Sequence, residues 1–141
     1  MIRAVLDANI LISGFISPVS HPREIERRWR KGDFGLVTSR EIIEEINRVL
    51  YLPRIYGKYH ITESAIQAFI LTLINKTECV AGRLMLKGIA PDPGDDKLIS
   101  CAVEAQADFM VTGDKALQQL GEYKGIKIIT AEEFIKVLEE D

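Results

Sequence analysis

The stretch Pro91–Asp114, PDPGDDKLISCAVEAQADFMVTGD, decides how the rest of the chain is read. It holds five aspartates. Asp92, Asp95 and Asp96 cluster in a Pro/Gly turn; an apolar helix is predicted from Leu98 to Ala107, with Asp108 at its end; a short apolar strand, Phe109 to Thr112, then stops at Gly113-Asp114. Turn, helix and strand in that order form one repeat of an α/β unit, with one acid at a helix start and another just past a strand end.

Working outward, the same alternation recurs. Ile2 to Leu6 is an apolar run without period-2 alternation, as expected of a central parallel strand buried on both faces, and it ends on Asp7. Ala8 to Ile16 is read as a short helix or irregular turn. A helix opens at His21-Pro22 and runs to Lys31, with Ile25 and Trp29 on its apolar stripe and arginines on its other faces. Phe34 to Val37 is the second strand. Thr38-Ser39 begins the next helix, with Thr38 and Glu41 as a possible capping box. In the helix Arg40–Tyr51, at about 100° per residue, Ile42, Ile43, Ile46, Val49 and Leu50 share one face. Glu44 points nearly opposite, whereas Glu45 falls at the margin beside Val49. Glu45 is therefore the glutamate able to be part-buried and still reach across a strand end.

After Pro53 comes a polar, aromatic connector to His60, then a long helix from Glu63 to Asn75 whose predicted buried face is Ala65, Ile66, Phe69, Ile70, Leu73 and Ile74. A short apolar segment lies at Cys79-Val80. Beyond the opening stretch follow a short helix after Asp114, a loop from Gly121 to Gly125, a last strand Ile126–Ile129, and a helix capped by Thr130 and Glu133. The pattern is a doubly wound α/β sheet, and with 141 residues and 47% hydrophobic content it suits one domain, residues 1–141.

A net charge of −3 excludes a partner gripped by overall positive charge. Cys79 and Cys101 have no Cys or His at metal-ligand spacing and are read as reduced, buried thiols. Asp7 and Asn9 interrupt the apolar N-terminus, no cleavage pattern follows, and no run reaches the ~20 apolar residues of a membrane span. The expectation is a soluble, cytoplasmic protein without a membrane partner.

In open parallel sheets, ligand sites form beyond the carboxyl ends of the strands. Asp7 and Asp114 each follow an apolar strand at that end, and the Asp95-Asp96 pair begins a helix between them. Gathering several carboxylates is unfavourable without a counter-charge, because each disfavours ionisation of the others. A hard divalent cation, Mg²⁺ or Mn²⁺, removes that conflict and keeps waters for a phosphate substrate. Taken singly, Asp95, Asp96 and Asp114 are ordinary helix caps. Asp7 has a weaker capping explanation, so the set points to a metal site. Residue type and spacing do not choose between Asp95 and Asp96: one is expected to cap and the other to face the pocket. Asp92 is read as a turn former and Asp108 as surface.

The segments VLDANILISGF, SREIIEEINRVL and DPGDDKLISCAVEAQADFMVTGDKAL together resemble the PIN domain (PilT N-terminus) family, and especially its branch of toxin components of toxin–antitoxin systems. The resemblance spans almost the whole chain. It implies an α/β/α sandwich around a mostly parallel sheet, Mg²⁺- or Mn²⁺-dependent RNA cleavage, a homodimer and an antitoxin protein as partner. Residue by residue, it carries the four family acids onto Asp7, Glu45, Asp96 (with Asp95 adjacent) and Asp114, with Asn9 and Thr112 as auxiliary polar residues.

The functional expectation is a ribonuclease in which these four acids hold one or two ions and a metal-activated water attacks phosphorus. Lys97, Lys115, Arg23, Arg27 and Arg28 are candidates for phosphate contact. The alternative is a non-catalytic module that binds nucleic acid or protein through the same pocket. Phosphotransfer through an aspartyl phosphate at Asp7 is disfavoured, because the second aspartate such enzymes carry two residues on is here Asn9.

Overall fold

A computed structural model describes residues 1–140. Six strands form one sheet in the order β3-β2-β1-β4-β6-β5. The strands are β1 (Arg3–Leu6), β2 (Gly35–Ser39), β3 (Glu78–Val80), β4 (Phe109–Val111), β5 (Glu122–Tyr123) and β6 (Ile126–Ile129). All neighbouring pairs are parallel except β5 with β6, which closes one edge antiparallel. β5 falls inside the stretch expected to be a plain loop between Gly121 and Gly125.

The helices are α1 (Ala8–Ile16), α2 (His21–Arg30), α3 (Arg40–Leu50), α4 (Pro53–Tyr56), α5 (Glu63–Asn75), α6 (Asp96–Ala105), α7 (Lys115–Gln118) and α8 (Ala131–Glu140). The path runs from β1 outward through β2 to β3, then returns to the far side of β1 as β4. Right-handed crossovers travelling in opposite directions place their helices on opposite faces. Thus α6, on the return path, packs along β1, β2, β3 and β4, while α1 meets α2 and α3, α3 meets α5, and α2 meets α8. The result is the α/β/α arrangement anticipated from the alternation of elements.

Central strands carry the core because both of their faces are covered. Ala4, Val5 and Leu6 of β1, and Leu36 and Val37 of β2, are almost fully buried, as are Ile42, Ile46 and Leu50 of α3 and Trp29 of α2. Removing one such leucine or isoleucine to alanine costs roughly 2–5 kcal/mol. Trp29 resolves its polar edge by donating from Nε1 to the Lys76 carbonyl at 3.0 Å. The two helices after β1 pack closely because Gly14 lacks a side chain; a Cβ there would lie 2.8 Å from the Pro22 carbonyl oxygen.

Several local expectations are corrected. The strand β2 extends through Ser39, so Thr38 is a strand residue with its hydroxyl buried and unpartnered, and Ser39 caps α3 by accepting from the Ile42 amide at 3.3 Å. No Thr38–Glu41 capping box forms. The Thr130–Glu133 box does form, with both reciprocal bonds at 3.0 and 3.1 Å. Cys79, expected inside, is exposed because β3 is an edge strand, while Cys101 on α6 is buried. Ile74, expected on the buried face of α5, is 54% exposed. No helix among the described residues is long and apolar enough to cross a membrane.

Candidate active site

The direction of chain progression reverses between β1 and β4, and a sheet of this kind opens a crevice at that point beyond the strand carboxyl ends. Asp7 leaves β1 there and Thr112-Gly113-Asp114 leaves β4. The two strand ends are tied across the gap: the Asp7 amide donates to the Val111 carbonyl at 2.9 Å, and the Thr112 hydroxyl donates to Asp7 Oδ2 at 2.8 Å. Thr112 is fully buried, and its Oγ1 also accepts from the Asp114 amide at 3.0 Å. One hydroxyl thereby sets the spacing of both acids.

Asp7 and Asp114 are also helix caps. Asp7 Oδ1 accepts from the Asn9 amide at 3.2 Å at the start of α1, and Asp114 Oδ1 accepts from the Ala116 amide at 2.9 Å at the start of α7. For Asp114 the cap was the ordinary expectation; for Asp7, expected to have the weaker capping explanation, it is a correction, because β1 runs straight into α1 and leaves Asp7 at the helix start. For Asp7 both oxygens are engaged, Oδ1 by the Asn9 amide and Oδ2 by the Thr112 hydroxyl. Asn9 contributes its backbone amide, and its side chain is exposed.

Burial raises the Asp7 pKa above its ordinary value; the Thr112 and Asn9 hydrogen bonds offset part of this, while the nearby Glu45 and Asp114 carboxylates add to it. Asp95 is pushed up to about 6, first by desolvation and then by the charges of Asp7, Asp114 and Asp92, with a carboxyl contact to Asp114 acting in the same direction. Four acids, Asp7, Glu45, Asp95 and Asp114, are thus electrostatically coupled around one crevice. Glu45, part-buried at the margin of α3 as its helical angle predicted, forms an ion pair with the Lys97 ammonium in the first turn of α6.

Asp96 is placed differently from expectation. Its carboxylate turns away from the crevice and accepts from the amides of Gly88 at 2.9 Å, Ile89 at 3.1 Å and Ala90 at 2.7 Å. Those bonds hold its pKa below the usual carboxylate range. Four and eight residues on, Ser100 Oγ accepts from the Leu86 amide at 2.9 Å and Glu104 from the amides of Gly82 and Leu84 at 3.1 and 3.0 Å. Residues 82–90 are therefore strapped along one stripe of α6. Of the adjacent pair, Asp95 faces the other acids and Asp96 holds the strap. The i, i+4, i+8 spacing of Asp96, Ser100 and Glu104 was the available sequence signal, since polar residues so spaced share one helix face.

The arginines expected at phosphate make contacts on and around α2. Arg27 makes a two-bond pair with Glu24 at 3.0 and 2.6 Å, Arg28 pairs with Asp33 at 2.5 Å, and Arg23 donates to the Gly14 carbonyl at 3.1 Å. Lys115 is exposed beside Asp114. Asp92 accepts from the Gly94 amide at 3.0 Å, as a turn former does, and Asp108 accepts from the Arg3 amide at 2.9 Å, fastening the start of β1.

A family model described as PIN domain matches residues 3–116, which include the crevice and every residue just described around it. The chain belongs to the PIN domain family. PIN domains are generally nucleases. An uncharacterized protein of Methanocaldococcus jannaschii, MJ1680, is 29% identical across an alignment of 146 positions covering 98% of this chain and 92% of that protein.

As a donor set, the acids of this PIN domain suit a hard divalent cation: all offer carboxylate oxygen, and their mutual repulsion is the condition such an ion relieves. Among the described residues, no three His, Cys, Asp or Glu side chains stand close enough to enclose an ion as placed. Internal contacts occupy the set instead, Lys97 against Glu45 and the Asp95 carboxyl against Asp114.

Proposed function

We propose that this PIN domain is a Mg²⁺- or Mn²⁺-dependent ribonuclease, with Asp7, Asp95 and Asp114 holding the ion and Glu45 completing the set. The observation that carries the reading is the gathering of these acids at the sheet's reversal point, where desolvation first, and then the charges of Asp7 and Asp114, push Asp95 up to about 6. A bound divalent ion supplies charge neutralisation at a phosphodiester and activation of the attacking water. The chain's own residues do the rest. Thr112 ties the Asp7 carboxylate to the Asp114 backbone, which lowers the reorganisation needed as charge develops. Asp96 holds residues 88–90 beside the helix start from which Asp95 projects. It thus takes a positioning role in this reading, and Asp95 takes the third ligand position.

The proposal extends to the resemblance's further implications: an RNA-cleaving toxin restrained by an antitoxin protein, acting as a homodimer. Leu71 and Ile74 on α5, 58% and 54% exposed, supply apolar surface for a second copy. Purified protein is expected to cleave single-stranded or structured RNA with added Mn²⁺ or Mg²⁺, to stop on chelation, and to lose activity as Asp7→Asn. Ion binding by calorimetry with no cleavage of any RNA pool supports the non-catalytic module instead. Equal cleavage by wild type and Asp7→Asn refutes the site.

A further inference from the structure

Lys97 occupies a position that its own helix disfavours. It stands in the first turn of α6, where the backbone dipole is positive and repels a cation. What holds it there is the Glu45 carboxylate, reached across the crevice from α3, in a pair whose side chains are only 30% and 25% exposed. Among the described residues, no other lysine or arginine pairs with any of the four crevice acids. Glu45 is also one of the two charges that raise Asp7. The Lys97 ammonium therefore sits against the very carboxylate that repels Asp7.

We propose that Lys97 is the resident counter-ion of the crevice and exchanges with the divalent ion, releasing Glu45 to it and becoming free for the substrate. This rests on the metal-dependent reading above. Two like charges near one carboxylate are unfavourable, so occupation of the crevice by a cation expels the ammonium from Glu45. The lysine's four-carbon stem then turns outward. The open space it reaches is the cleft between α6 and residues 81–88, which Lys97 already lines together with Ser39, Gly94 and Ser100. An ammonium released there stands beside the crevice, in a cleft that Arg40 and Lys87 also line, and meets a phosphate of RNA lying along that cleft. In this scheme Lys97 opposes ion binding in the free protein and assists RNA binding in the loaded one.

The test is Mn²⁺ affinity by calorimetry on the intact chain, comparing wild type with Lys97→Met and Lys97→Arg. Lys97→Met removes the competing charge at similar length and is expected to tighten Mn²⁺ binding on the order of tenfold, whereas Lys97→Arg stays near wild type. In the same proteins the KM for RNA rises in Lys97→Met. Opposite signs on the two readouts distinguish exchange from simpler roles. If Lys97 only orients Glu45, Lys97→Met weakens Mn²⁺ binding; if it only contacts phosphate, Mn²⁺ affinity is unchanged. Either result overturns the proposal and leaves the ribonuclease reading standing. A wild type that binds no Mn²⁺ overturns both.

Discussion

On the crevice side of the α6 start, Asp95 faces Asp7 and Asp114 and its carboxyl is pushed up to about 6; one residue later, Asp96 faces three backbone amides and is held below the usual carboxylate range. The two regions are built from the same residue type at the same helix terminus. They differ in what surrounds the oxygens: other carboxylates and a desolvating wall on one side, amide donors on the other. Acids facing acids store an unfavourable charge that a cation relieves. Acids facing amides are satisfied, and they hold the irregular segment they grip.

The largest expected contrast is between Asp95→Asn and Asp96→Asn. Asp95→Asn is expected to lower RNA cleavage by roughly two orders of magnitude or more, beyond the 10–100-fold typical of supporting residues, with the fold intact or firmer because a like charge is gone. Asp96→Asn is expected to reduce cleavage by only about tenfold. It also exposes the Gly88, Ile89 and Ala90 amides to faster hydrogen exchange, since a neutral side chain cannot satisfy all three as a carboxylate does. The reverse ranking in a nuclease assay breaks the comparison.

Acid titration sharpens it, measured in chelator so that no ion competes. Asp95 has a folded pKa above its unfolded one, so the native state binds the extra proton and stability falls as pH rises from about 4 through about 6. Asp96 and Glu104 have depressed folded pKa values; their contribution is complete above the unfolded value and is lost as pH falls through the folded one. Denaturant midpoints measured against pH are expected to show a shallower pH 4–6 slope in Asp95→Asn, the part due to Asp7 and Glu26 remaining, and to keep the full slope in Asp96→Asn, which instead flattens at lower pH. Identical profiles for the two variants count against distinct environments.

The smallest effect belongs to Ser100→Ala, at the middle of the strap. Ser100 is 6% exposed and its hydroxyl is the acceptor of the Leu86 amide. Loss of that bond is expected to cost about 1 kcal/mol in denaturant unfolding, with Mn²⁺ affinity unaltered. A change in ion affinity here shows that the strap and the crevice are energetically one unit.

Much of this was legible before any coordinates. Asp7 and Asp114 were visible as strand-end acids because β1 and β4 are uninterrupted apolar runs that stop on them. Glu45 was separable from Glu44 by angle alone, since α3 is long and its stripe regular. Thr112 came from the resemblance, and its double hydrogen bond is the reason such a residue is useful there. What stayed hidden has a common cause. Asp95 and Asp96 are identical in type and adjacent, at a junction where a 3-10 turn, Pro93–Asp95, meets α6, so no period extends across them to tell one side from the other. Cys79 looked buried because composition marks an apolar segment but not which strand is outermost. The pairing of Arg27 with Glu24 and of Arg28 with Asp33 depended on rotamers that a charge count ignores.

The amino-acid sequence by itself determined the alternating elements, the parallel sheet they make, and the presence of acids at strand carboxyl ends, because hydrophobic period and turn chemistry are local properties. Tertiary structure alone decided the orientation of each carboxylate. Whether an aspartate meets another aspartate or a row of amides depends on residues distant in the chain, such as Asp7 for Asp95 and Gly88 to Ala90 for Asp96, and the free energy of its charge is set by those neighbours.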